Sequence, residues 1–165
     1  MASRAVQHMQ KALEQMHLKL TQVVSDINGK TGMAILHAIL AGERDPQRLA
    51  RHRDQRCKHD QATIAKALEG HWRSEHLFAL QQALEQYEFV QQQLRACETQ
   101  IEACLQTFVT HGAVDRPEAS LPRKRRTRQR QAPSFDVHGY LDAMTGVDLT
   151  QIYGIDEVTA LKVIS

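Results

Sequence analysis

Six cations, Arg123, Lys124, Arg125, Arg126, Arg128 and Arg130, fall within the eight positions of RKRRTRQR, and no acidic residue occurs over 119–135. Five are arginines, whose planar guanidinium forks onto phosphate oxygens. A flexible chain with that content tracks a polyanion by releasing its counterions, without sequence preference of its own. A solvated, merely solubilising linker and a nuclear-import signal are the other readings open to such a run. The net charge of the chain is +2, so everything outside this run sums to −4. Basic character is therefore one local feature, and polyanion binding is expected from that segment rather than from the whole surface.

Other reactive side chains make weaker constellations. Among nine histidines and three cysteines, the best metal grouping is Cys57, His59, His71 and His76. Cys57 and His59 stand too close for the common zinc frameworks, and the second pair is five apart across an expected helix start, so no metal site is assigned. NGKTG at 28–32 matches a phosphate loop only in part: it lacks the first glycine at the required spacing and follows a helix rather than a strand, which makes it a turn. Glu14, Asp26, Glu43, Asp45 and Asp54 are scattered over helix surfaces and caps, with no paired-carboxylate site among them. No catalytic residue is assigned.

The elements that must position the basic run are helical. Aromatics are 5 % of the chain, and Ala, Leu, Gln, Glu, Lys and Arg dominate its first two thirds. The expected fold is all-α: long coiled-coil helices around a small helical cluster, a flexible basic linker, and a short C-terminal helix-hairpin-helix-like segment. Val6, Met9, Leu13, Met16, Leu20 and Val23 are spaced 3 and 4 apart, which predicts one heptad helix over 3–27 that ends at Asn28 and Gly29. A helix from about Thr31 to Ala41 is closed by Gly42. Asp45 then caps a second with Pro46 at its first position, and DQATIAKALEGHW forms another. Ile35, Leu36, Ile39, Leu40, Leu49, Ile64, Leu68 and Trp72 are the expected core of the cluster, with the sole tryptophan as its plug.

Ser74 is the expected cap of the longest helix, which has no Gly or Pro before Gly112. Its seam runs through Leu77, Leu80, Leu84, Tyr87, Val90, Leu94, Cys97, Ile101, Cys104 and Phe108, with a discontinuity between Tyr87 and Val90. Cys97 and Cys104 read as small buried residues of that seam, and the two seams predict an antiparallel pair or a self-associating stalk. The domain boundaries expected are 1–112 for connector and coiled coil, 113–134 for the Pro-containing linker, and 135–165 for the last segment. No apolar run reaches membrane-spanning length and the N-terminus lacks a signal-peptide core, so a cytoplasmic protein without membrane contact is expected.

In the last segment Asp136 can cap a helix through Val137, Tyr140, Leu141 and Met144 that ends at Gly146. Asp148 can cap a second, YGID forms the turn, and Asp156 starts a third with Val158, Leu161 and Ile164 inward. Short helices around a Gly-containing hairpin can turn backbone N–H groups toward a phosphate, which makes Gly154 a nucleic-acid-binding candidate. Asp156, standing where that motif usually has a second glycine, brings negative charge to the position. A tight αα-corner is the purely structural alternative.

GKTGMAILHAILAGERDPQRLA, RCKHDQATIAKALEGHWRSEHLFALQQALEQYEF and TGVDLTQIYGIDEVTALKVIS, in that order, cover nearly the whole chain. In these phrases it resembles the middle of the bacterial DEDD-type insertion-sequence transposases, whose recombination is guided by a bridge RNA. Such enzymes have a RuvC-like domain with four catalytic acidic residues, a coiled-coil region, and a C-terminal domain that later supplies a catalytic serine. The resemblance implies that 1–112 is connector and coiled coil and that 135–165 opens the C-terminal domain. It places the chain after the acidic tetrad and before the serine-bearing part, as a fragment without catalysis of its own. HGYLDA and IYGID are less regular than the family's usual wording. DNA, a guide RNA and a second copy through the coiled coil are the implied partners. Magnesium is implied only for an intact enzyme of the family, with no cofactor for this chain.

Overall fold

A computed structural model of the chain describes residues 2–111, 133–146, 149–152 and 154–164. Every regular element among them is helical, and the fold is all-α: α1 Ala2–Gln15, α2 Leu20–Val23, α3 Lys30–Leu40, α4 Pro46–Ala50, α5 Gln61–Ala67, α6 Ser74–His111, α7 Val137–Thr145 and α8 Glu157–Ile164, with a 3-10 turn at Leu149–Gln151. Among the described residues no helix is long and apolar enough to cross a membrane. The chain forms two compact units, Met1–Gln92 and Gln93–Ser165, which divide inside α6.

The single helix expected over 3–27 is not formed: α1 stops at Gln15, and α2 is a separate short turn. His17 takes a left-handed conformation at φ 60°. Its N–H donates to the Glu14 carbonyl at 2.9 Å, and the Leu18 N–H donates to the Leu13 carbonyl at 2.9 Å. That pair of bonds is a Schellman closure, with the accompanying apolar contact supplied by Leu13 and Leu18, both buried. Tertiary bonds hold the break open. The Lys19 N–H donates to the Ala67 carbonyl and the His71 N–H to the Met16 carbonyl, each at 2.8 Å. Together they outweigh the roughly 1–2 kcal/mol that a left-handed L-residue costs.

The 3-and-4 spacing survives the break because its residues still point inward. Met9, Leu13, Met16 and Leu20 are completely buried and Val6 packs partly against the same cluster. What they cover differs from the expected seam. They join Ile35, Leu36, Ile39, Leu49, Ile64 and Leu68 in one core formed by the unit itself. Trp72 does not plug that core: it is half-buried at the edge, with the Arg44 guanidinium 4.9 Å from its ring centre.

Capping residues act where their types indicate. Asp45 Oδ1 accepts from the Gln47 N–H at 2.9 Å, ahead of Pro46 at the first position of α4, and Asp60 Oδ1 accepts from the Thr63 N–H at 3.0 Å at α5. Gly42, at φ 100°, closes α3 with a second Schellman pair, Gly42 to Ile39 and Glu43 to Ala38. Ser74 is not the cap of α6. The first helical bond goes from the Leu77 N–H to the Arg73 carbonyl at 3.0 Å, so Ser74 is the first helical residue, and its hydroxyl donates to Glu75.

The hydroxyl and N–H of Thr63 hold the Asp60 carboxyl below its ordinary value of 3.8, and Thr159 does the same for Asp156. A folded-state value lowered in this way stabilises the fold above the unfolded value and is lost as pH falls through the folded one. Melting temperature followed by circular dichroism should therefore be flat above about pH 5 and fall below about pH 4. Asp60→Asn, which still caps but does not titrate there, should show a shallower acid decline.

The discontinuity after Tyr87 marks a change of role along α6. Before it, Leu80 and Leu84 are buried and Leu77 and Tyr87 partly so, all against the first unit's core. Asn28 donates to the Tyr87 hydroxyl at 3.3 Å, and His37 Nε2 lies 2.9 Å from Glu88 Oε1. After it, Leu94 is 50 % and Ile101 46 % exposed, and Cys97 and Cys104 are exposed rather than buried. Intramolecular packing uses up the first half of the predicted seam and leaves the second half bare.

In the second unit Val137, Leu141 and Ala160 form a small core, packed on by Phe135, Leu149, Ile155 and Leu161. Asp136 Oδ1 accepts from the Gly139 N–H at 3.2 Å to cap α7, which Gly146 follows at φ 70°. The Tyr140 hydroxyl meets Gln106 at 3.1 Å and Glu102 at 3.4 Å, so α7 is tied to the last turns of α6. Of the α8 side chains with described burial, Ala160 is fully buried, whereas Val158 and Leu161 are partly so; the side chain of Ile164 lies outside the described residues.

Candidate nucleic-acid interface

Arg123, Lys124, Arg125, Arg126, Arg128 and Arg130 lie outside the described residues, as does Asp148. Of the nucleic-acid-binding candidates, Gly154 alone has a described position. It supplies the left-handed turn, at φ 89°, that leads into α8. The helix N-terminus behind it is already filled: Asp156 Oδ1 accepts from the Thr159 N–H at 2.7 Å, and Glu157 adds a second carboxylate in the first turn. A phosphate approaching there would displace one carboxylate and face another. The segment before the turn is a 3-10 turn rather than a second α-helix. Gly154 thus stands in the turn between this 3-10 segment and α8.

A hydroxyl, an imidazole and a carboxylate do come together in this unit. Thr150 Oγ1 lies 3.4 Å from His138 Nδ1, and His138 Nε2 lies 2.9 Å from Glu157 Oε1. The order is that of an activated nucleophile. Thr150, however, is only 6 % exposed, so a substrate has no approach to the hydroxyl. The three groups fasten α7, the 3-10 turn and α8 to one another.

The residues of NGKTG are likewise spent on structure. Lys30 Nζ pairs with Asp54 Oδ2 at 3.2 Å, and Thr31 Oγ1 accepts from the Asp54 N–H at 2.9 Å and contacts the Cys57 sulfur at 3.5 Å. Cys57 therefore packs on Thr31. Among the described residues no group of three or more His, Cys, Asp or Glu side chains could hold a metal.

A charged feature missed in the sequence lies between α4 and α5, where RHRDQRCKH at 51–59 carries four cations and one acid. Asp54 within it and Asp45 and Asp60 on either side mask it in a linear reading. Its exposure emerges only once the caps and ion pairs of Asp45, Asp54 and Asp60 are placed. Comparison with protein-family models, with curated proteins and with solved structures yields no match to the chain.

Proposed function

We propose that the chain is a non-catalytic part of a DEDD-type insertion-sequence transposase, which binds DNA or a guide RNA through residues 123–130 and associates with a second copy. The observation that carries this reading is the run of six cations within eight positions, free of acidic residues over 119–135. The three quoted phrases supply the family, and an all-α chain suits a connector that links domains rather than one that performs chemistry. Self-association is supported by the stripe of Leu94, Cys97, Ile101 and Cys104 along the exposed side of α6. Gln93 and Gln100 flank it on one side without charge, and Glu98 is the charged residue on the other.

Nucleic-acid affinity measured by fluorescence anisotropy across a salt series tests the reading. Neutralisation of four to six phosphates gives a slope of log affinity against log salt of about −3 to −5. Replacing the six cations with Gln should remove that contribution to the slope. A slope near zero, or binding indifferent to those replacements, overturns the proposal. The bare α6 stripe favours one other reading, an all-α coiled-coil interaction protein with no nucleic-acid role. That protein would self-associate and show no salt-dependent binding.

A further inference from the structure

The loop at 51–59 is part of the folded first unit. Arg53 organises it from within: Nε donates to the His59 carbonyl at 2.6 Å and Nη2 to the Cys57 carbonyl at 2.9 Å. The Asp54 N–H fixes it to Thr31 on α3 at 2.9 Å. Its one acid is committed inward. Asp54 Oδ1 accepts from the Arg56 N–H at 3.0 Å while Oδ2 pairs with Lys30, and those contacts hold its carboxyl below the ordinary value.

The neighbouring acids are committed too. Asp60 caps α5, Asp45 caps α4, and Arg48 takes up both Glu43 and Asp45 at 3.5 and 3.6 Å. Arg51, Arg56 and Lys58 remain. All three are exposed, and none makes an ion pair among the described residues. The acids keep their charge, but the loop itself carries four cations against one carboxylate, and three of those cations are exposed.

We propose that this loop is a second phosphate-binding surface, by which the folded first unit sits on a nucleic-acid backbone through Arg51, Arg56 and Lys58. Two of the three are guanidinium forks, suited to phosphate oxygens. Because Arg53 presets the loop, little conformational freedom is lost on contact. An anionic membrane fits less well. The loop has no large apolar side chain to enter the interface, and its single cysteine is turned onto Thr31. The ligand is of the kind assigned to residues 123–130, but the residues are different, so either surface can fail alone.

The test uses the full chain in four forms: unaltered, Arg51→Gln with Arg56→Gln and Lys58→Gln, the six cations of 123–130 changed to Gln, and both sets combined. Anisotropy with a mixed-sequence DNA duplex and with an unstructured RNA gives a salt slope for each. The loop variant is expected to lower the slope by about 2–3, both in the unaltered chain and in the linker variant. Arg56→Gln alone should lower it by about 1 and, being exposed, leave the melting curve unchanged. An unchanged slope in both backgrounds overturns the loop proposal and leaves the linker reading intact. A loop that affects binding to polyglutamate or to phosphatidylserine vesicles, but not to either nucleic acid, overturns it as well.

Discussion

Gly32→Ala should abolish cooperative folding of the first unit, although in a solvated helix the same change would add about 1 kcal/mol of stability. The glycine lies in the first turn of α3, where the chain returns from Ile27 and passes over the helix so closely that a Cβ would overlap the Ile27 carbonyl oxygen, its carbon and its Cα. Those atoms are backbone, and Ile27 is itself buried, so they cannot swing aside as the end of a flexible side chain could. Relief requires α3 to lift away from the 24–29 segment, which would pull Thr31, Ile35 and Leu36 from their packed positions. Overpacking of this kind costs about 3 kcal/mol or more. A domain has only about 5–15 kcal/mol to lose, so the variant should be largely unfolded or melt far below the unaltered chain. Gly42→Ala is the informative companion. An added Cβ there meets nothing within 4 Å, and only the left-handed backbone at φ 100° resists it, so a loss of about 1–2 kcal/mol is expected. Urea unfolding followed by circular dichroism separates the two. Equal losses would mean that the close crossing at Ile27 does not exist in solution.

The two Schellman closures show how much of this fold a sequence can disclose. At Gly42 the left-handed position is held by glycine, and the end of α3 is legible to within a residue. At His17 the same pair of hydrogen bonds forms around a residue with no such preference, inside an uninterrupted 3-and-4 pattern. The bonds that fix the break come from Ala67 and His71, some fifty residues away, and no local window contains them. Periodicity accordingly identified which side chains turn inward, but not what they meet. Met9, Leu13 and Met16 were legible as buried, and their burial in one globular core rather than along a second long helix was not. Asp45, Asp136 and Asp156 were easier, because a cap is satisfied within three residues of itself. The candidate site follows the same rule. The run at 123–130 is visible because nothing acidic interrupts it. The loop at 51–59 is masked in sequence by Asp54, whose ion-pair partner Lys30 stands twenty-four residues earlier.

That difference between a core and a seam yields the second large effect. Leu13→Ala is expected to destabilise the first unit by about 2–5 kcal/mol, with no dependence on protein concentration. Leu13 is fully buried, and it supplies both a core contact and the apolar partner of Leu18 in the closure of α1. Its carbonyl still accepts the Leu18 N–H after substitution, so the loss measures packing and cavity rather than a broken hydrogen bond. Leu94→Ala combined with Ile101→Ala should do the reverse. These side chains are about half exposed on α6, so their removal should leave the urea midpoint of the first unit within experimental scatter while weakening self-association in sedimentation. Had α1 been half of an intermolecular coiled coil, Leu13→Ala would instead make unfolding concentration-dependent and dissociate the assembly before the helices melt. With those outcomes, the pair of variants would assign each half of the apolar pattern: residues 6–20 and 77–87 to the chain's own core, and residues 94–104 to the proposed contact with a second copy.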